Sequence, residues 1–360
     1  MNPYDFVRID WSKPPVRRPY APHDRLNGWT GRVEGQITAE TPFFIQGTAP
    51  ATGGTGPRRF QTNAQGTPII PGSSLKGLFR SLVETVAPGC WWLFDGDYEY
   101  QQGRPTVVYS RNLPPEFRQC RDSRQLCPAC RLFGLVQGGQ VLSLGKVSFD
   151  DAVCIREVRH DPIFTPILDA PKPRHRAWYL DGASQLVAGR KFYFHQSSIQ
   201  TESRLHFSRE NKQLNQHIAP LGAGTAFTFT AHFANVADDE LPPLLYALVL
   251  EQEELGHERD LRHKVGYAKP AGLGSIHVQV TRLVRWRDSA RYTGGRVETY
   301  EGEMLHAFVN QHIAPYVADT TSVMLQDLRR IWRWPPTGTY RYPGRNWFAA
   351  NPAAPISQTP

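Results

Sequence analysis

Three cysteines, Cys120, Cys127 and Cys130, stand in a C-x6-C-x2-C run whose spacing suits metal ligation. Thiolates on a CPAC turn bind zinc in a tetrahedral site that needs a fourth ligand. Cys90 is the preferred fourth, ahead of Cys154, His160 or His175. Cys154 falls in an expected core strand, where a thiol behaves as a small apolar group. Four thiolates leave no open coordination position, so a zinc there is structural rather than catalytic. Unligated cysteines, or a redox pair at 127 and 130, are the other readings of the same spacing. Five cysteines in 360 residues do not suggest a disulfide framework.

The stretch PIIPGSSLKGLFRSLVETV, 68–86, raises the question of phosphate chemistry. A nucleotide loop of the form G-x-x-x-x-G-K-[ST] needs a glycine directly before its lysine. Here only Ser73, Ser74 and Leu75 separate Gly72 from Lys76, and Gly77 follows the lysine, so the pattern fails. GLGSIH, 272–277, fails as a dinucleotide fingerprint because His277 stands where a third glycine belongs. What is left is a helix start with exposed amides, two hydroxyls and a lysine, which suits a backbone phosphate. An ordinary capped helix explains it equally well. In GYAKPAGLGSIHV, Lys269 sits in a glycine turn before a strand. Gly272 and Gly274 would let a polymer approach the main chain there, although a plain hairpin turn accounts for the same residues. GRKFYFHQSS, 189–198, offers stacking faces for bases or a buried strand.

The net charge of +8 favours an anionic partner. Its placement says more: from Gly47 through Leu82 there is no Asp or Glu, while Arg58, Arg59, Lys76 and Arg80 are present. Further basic clusters are PKPRHR at 171–176 and RLVRWRDSAR at 282–291. No segment has the roughly 18 apolar residues that a bilayer span requires, and the N-terminus lacks a signal-peptide core. A cytoplasmic protein is the expectation. With 30 glycines and 30 prolines the chain is globular but rich in loops.

The elements that must position these residues follow from periodicity. An N-terminal arm over 1–30 precedes a strand at 32–45 with alternating character. A loop at 46–66 follows, and then a helix capped by Ser73 or Ser74 with Leu75, Leu78, Phe79, Leu82 and Val83 on one face. A cysteine-bearing insertion occupies 90–134, and a strand is expected over 144–155. A second, polar and basic excursion covers 156–217. The strand 224–236, a helix within 238–254 and a strand within 266–283 come next. Beyond 290 lie a helix around VMLQDLRRIWRW and a Pro-rich tail without regular structure at its end. Strand–helix–strand twice over is the order of an α+β, ferredoxin-like or RRM-like fold, with long insertions.

PIIPGSSLKGLFRS at 68–81, CPACRLFG at 127–134, GTAFTF at 224–229 and KPAGLGSI at 269–276 together resemble the RAMP superfamily, the RRM-like backbone proteins of class 1 CRISPR effector complexes. PYDFVRID near the start, PHDRLNGWTG at 22–31 and GRKFYFHQ resemble a branch found with type III systems. The resemblance covers about residues 3–285. It implies a subunit that packs beside like subunits along a guide RNA, facing complementary target RNA. By position it makes Ser73, Ser74, Lys76, Arg80, Lys269, Gly272 and Gly274 guide contacts. It also makes the cysteine cluster a zinc-bound insertion and the 156–217 excursion a thumb between guide and target.

Target-cutting members carry an aspartate in the loop before PGSSLKG. Here QGTAPATGGTGPRRFQTNAQG, 46–66, has no acid, which argues against cleavage there. Asp95 and Asp97, and the pair Asp150 and Asp151, are the remaining acid clusters, each with a structural reading. Three functions stand open: a non-cleaving guide-RNA-binding subunit, an endoribonuclease acting on target or guide RNA, and a scaffold that docks an accessory effector protein.

Overall fold

The computed structural model describes residues 2–21, 27–47, 56–91, 113–168, 176–287, 297–343, 345–351 and 353–358. After the short β1 (Tyr4–Val7), β2 (Trp29–Ala39) buries Val33, Ile37 and Ala39 and turns Arg32, Glu34, Gln36 and Thr38 the other way, as a period of two requires. β3 (Ile69–Ile70) leads into α1 (Gly72–Val86), whose Leu75, Phe79, Leu82, Val83 and Val86 form its buried face. The cysteine-bearing insertion supplies α2 (Pro128–Phe133) and the hairpin β4 (Leu135–Gln137) and β5 (Gln140–Ser143).

The single strand expected over 144–155 is two, β6 (Val147–Phe149) and β7 (Ala152–Arg156). Phe149 faces Ala231 and Val153 faces Thr228, so four steps on one strand meet three on the other. The extra residue is a bulge at the Asp150–Asp151 pair. The second excursion holds β8 (Ile163–Phe164), α3 (Arg176–Tyr179), β9 (Arg190–Tyr193) and β10 (His217–Ile218). Then come β11 (Ala226–Val236), α4 (Leu241–Val249), β12 (His263–Lys264) and β13 (Ser275–Arg287). β14 (Glu298–Glu301), α5 (Gly302–Ala318), α6 (Val323–Trp332) and α7 (Arg345–Ala350) follow, so the tail carries a short helix.

The central sheet is antiparallel in the order β13–β2–β11–β7. With α1 between its first and second strands and α4 between its third and fourth, this is the fourth–first–third–second order of the ferredoxin-like fold. α1 and α4 cover one face and pack on each other across Ile37, Phe227, Phe229 and Val278. The opposite face is polar, with Thr228, His232, Gln279 and Thr281 exposed. The two ends of the chain close on the same body. β1 pairs with β9, α5 packs on α4, and α6 packs on β1 and β9. Leu305, Phe308, Leu328 and Trp332 join the core that holds α1.

Candidate metal centre and nucleic-acid interface

Cys90 follows α1, Cys120 precedes a loop, and Cys127 and Cys130 sit at the start and inside the first turn of α2. All four are fully buried, and their sulfurs lie within 4.8 Å of one another. Cys90 Sγ and Cys130 Sγ are 3.6 Å apart. Zinc–sulfur bonds of about 2.3 Å in a tetrahedron put neighbouring sulfurs about 3.8 Å apart, so the spacing fits a four-thiolate ion. Cys154 is half-buried in β7, and neither it nor His160 belongs to the group. His175 lies outside the described residues. Shared hydrogen bonds divide the protons unevenly among the four thiols: they hold Cys127 well below its ordinary pKa and push Cys130 above it.

Arginines surround the thiols. Arg17, in the N-terminal arm, donates to Cys120 Sγ at 3.3 Å and to the carbonyls of Glu116 and Arg118. Arg80 of α1 donates to Cys130 Sγ at 3.5 Å, to Gly134 O at 2.8 Å and to Glu84. Arg190 of β9 donates to the carbonyls of Gly89 and Cys90 and pairs with the other oxygen of Glu84. A buried triad ties the module to the body: Glu240, at the start of α4, accepts from Arg131 at 2.6 Å and from Lys146 at 2.8 Å. Burial alone would raise the pKa of Glu240, but Lys146 and Arg131 outweigh it and hold the carboxyl below its usual range.

α1 begins differently from the sequence expectation. Pro71 occupies the N-cap, and neither Ser73 nor Ser74 caps the helix. Asp151 does so from the bulge, accepting from Gly72 N at 2.8 Å. This satisfies one of the open amides and places a carboxylate at the positive end of the helix. Ser73, Gly77 and Ser81 are exposed along one face. A Cβ at Gly77 would meet nothing within 4 Å. Lys76 is half-buried beside that face and makes no side-chain hydrogen bond or ion pair with the described residues. Burial, then the nearby Arg80, lowers its pKa.

The other expected RNA contacts divide. Arg58 and Arg59 are exposed in the segment that runs beside β10, and neither pairs with an acid among the described residues. Arg80 turns inward to Glu84, Gly134 and Cys130. Gly272 and Gly274 are buried with φ of +94° and +87°. Cβ atoms there would meet Ser198 O at 2.8 Å and Val265 O at 2.0 Å, so the close backbone approach is made by the chain itself. Lys269 is half-buried and donates to Gly266 O at 2.7 Å. In GRKFYFHQSS, Phe192 and Phe194 are buried, which is the strand reading.

Sequence reasoning missed Arg17, Gly77 and a stacked pair, Phe164 with His217, whose rings are 4.3 Å apart next to Arg58. Only Gly77 left a signal, a glycine in the middle of a helix. Asp95 and Asp97 lie outside the described residues. Asp150 is exposed and bonded to His232 at 2.9 Å.

A family model described as the RAMP superfamily matches residues 36–275, two thirds of the chain. No curated protein matches. Among the described residues no helix is long and apolar enough to cross a membrane.

Proposed function

The chain belongs to the RAMP superfamily, whose members are CRISPR-associated RNA-binding proteins, and we propose that it is a guide-RNA-binding backbone subunit of a type III effector that holds RNA without cutting it. The observation that carries this reading is the open face of α1. Ser73, Gly77 and Ser81 leave room for a sugar–phosphate chain, and Lys76 stands beside them with no acid among the described residues to neutralise it. The acid-free run from Gly47 to Leu82 keeps repulsive charge away, and Arg58 and Arg59 extend the basic track. PYDFVRID, PHDRLNGWTG and GRKFYFHQ support the type III branch. Target RNA pairs with the guide, and like subunits of the effector pack on either side.

In this reading Cys90, Cys120, Cys127 and Cys130 hold one structural zinc, which fixes α2 and its hairpin against the C-terminal end of α1. Lys269, Gly272 and Gly274 shape the turn before β13, with Lys269 as the member closest to solvent. Purification at low salt tests the proposal. The protein carries co-purifying RNA, and its affinity for single-stranded RNA falls linearly as log salt rises. Salt-independent binding, or none, overturns it.

A further inference from the structure

Four thiolates around a divalent cation leave a net charge of −2, and a buried charge of that size needs cationic partners. The structure provides two guanidinium groups, one on each of two sulfurs: Arg17 at Cys120 and Arg80 at Cys130. Each is fixed by its remaining nitrogens, Arg17 by two main-chain carbonyls and Arg80 by Gly134 O and Glu84. Glu84 does not cancel Arg80 alone, because it is shared with Arg190. Cys127 N–H adds a neutral donor to Cys120 Sγ at 3.2 Å.

Arg80 also reaches toward the RNA-facing turn. It lies one helical turn after Lys76, on the same side of α1. Gly134, whose carbonyl Arg80 holds, packs against Gly145: a Cβ at Gly134 would sit 2.8 Å from Gly145 N. Gly145 in turn lies under the lysine, since a Cβ there would sit 2.9 Å from Lys76 Nζ. A continuous path of contacts therefore runs from Cys130 Sγ through Arg80, Gly134 and Gly145 to Lys76.

We propose that Arg80 is a positioning residue that makes RNA binding depend on the metal: the thiolate charge holds its guanidinium, and the guanidinium holds the glycine loop on which Lys76 rests. Arg17 supplies the matching charge from the arm side. This coupling rests on the reading of α1 as the RNA-binding face.

The test uses the full chain loaded with zinc. Metal affinity is read by competition with a chelator, and single-stranded RNA affinity by fluorescence anisotropy before and after chelation, with circular dichroism reporting the fold. Arg80→Gln is expected to weaken metal binding about 10- to 100-fold, as loss of a hydrogen bond to a ligand does, and Arg80→Lys to restore part of it. In the cobalt-substituted protein, Arg80→Gln shifts the sulfur-to-metal charge-transfer band to longer wavelength, because an unbonded thiolate is the better donor. Chelation weakens RNA binding of the native protein about tenfold and adds nothing in Arg80→Gln. Lys76→Met weakens RNA binding and leaves metal affinity alone. Unchanged metal affinity in Arg80→Gln, or equal RNA affinity with and without metal, overturns the coupling. If Arg80→Gln does not fold, Arg17→Gln reads the same charge from the other side, and native metal affinity there overturns it. Failure of the zinc-loaded native protein to bind RNA sinks the RNA reading instead and leaves the metal arm to be judged alone.

Discussion

Lys264, on β12, is an ammonium group fully buried beneath the turn that carries Lys269. Its side-chain partner is Ser275 Oγ at 3.3 Å. The same hydroxyl bonds His195 Nδ1 at 2.8 Å, and His195 Nε2 faces the carbonyl of Arg262 at 2.9 Å. A carbonyl only accepts, so Nε2 carries the proton and Nδ1 accepts from Ser275. Burial, then Lys264, keeps His195 neutral. Lys269 repels Lys264, and the nearby acids Glu40 and Asp260 both engage Arg262. Burial, then Lys269, brings Lys264 down to about 7. The unfolded amine takes its proton below about pH 10.4. Between those values the unfolded chain binds more protons than the folded one, so stability rises with pH from about 7 toward 10, by roughly 3–4 kcal/mol. Lys264→Met removes that slope and stabilises the protein at pH 7; equal unfolding free energies of the native protein in denaturant titrations at pH 7 and 9 would contradict the assignment. None of this was legible beforehand, because nothing local marks Lys264 as buried. The CPAC spacing did point to three thiols. Cys90 was reachable only as a remaining cysteine, and Arg17 lies about a hundred residues from the sulfur it touches.

α1 was the most legible element, since its apolar spacing at three and four residues is what the core requires. Its cap was not, because the capping carboxylate comes from Asp151, 79 residues away on a bulge that alternation alone read as one strand. Gly77 shows why a helix face needs the structure. A mid-helix glycine costs about 1 kcal/mol relative to alanine, and here no neighbour requires the absence of a side chain. Gly77→Ala should therefore raise stability by about 0.5–1 kcal/mol in thermal unfolding, with RNA affinity little changed. Gly77→Gln should keep the fold and block RNA. If Gly77→Gln binds RNA as the native chain does, the exposed face of α1 is not the contact.

At the scale of the whole molecule, the strand and helix order gave the ferredoxin-like sheet, because four alternating strands, the amphipathic α1 and the wholly apolar α4 have few antiparallel arrangements. The closure of the termini was hidden, since β1 pairs with β9 nearly two hundred residues on and α6 packs over both. Asp150 and His232 form an exposed carboxylate–imidazole pair beside the start of α1. The account predicts no cleavage of a labelled complementary target by the assembled complex, and the same result with Asp150→Ala or His232→Ala. Cuts that vanish in either variant would make the protein a nuclease. The most direct test of the central claim compares single-stranded RNA binding by the native chain, Lys76→Met and Gly77→Gln across a salt series. The account predicts salt-dependent binding by the native chain, a slope of log affinity against log salt shallower by about 0.7 in Lys76→Met, and loss of binding in Gly77→Gln. Native affinity and an unchanged slope in both variants would contradict it.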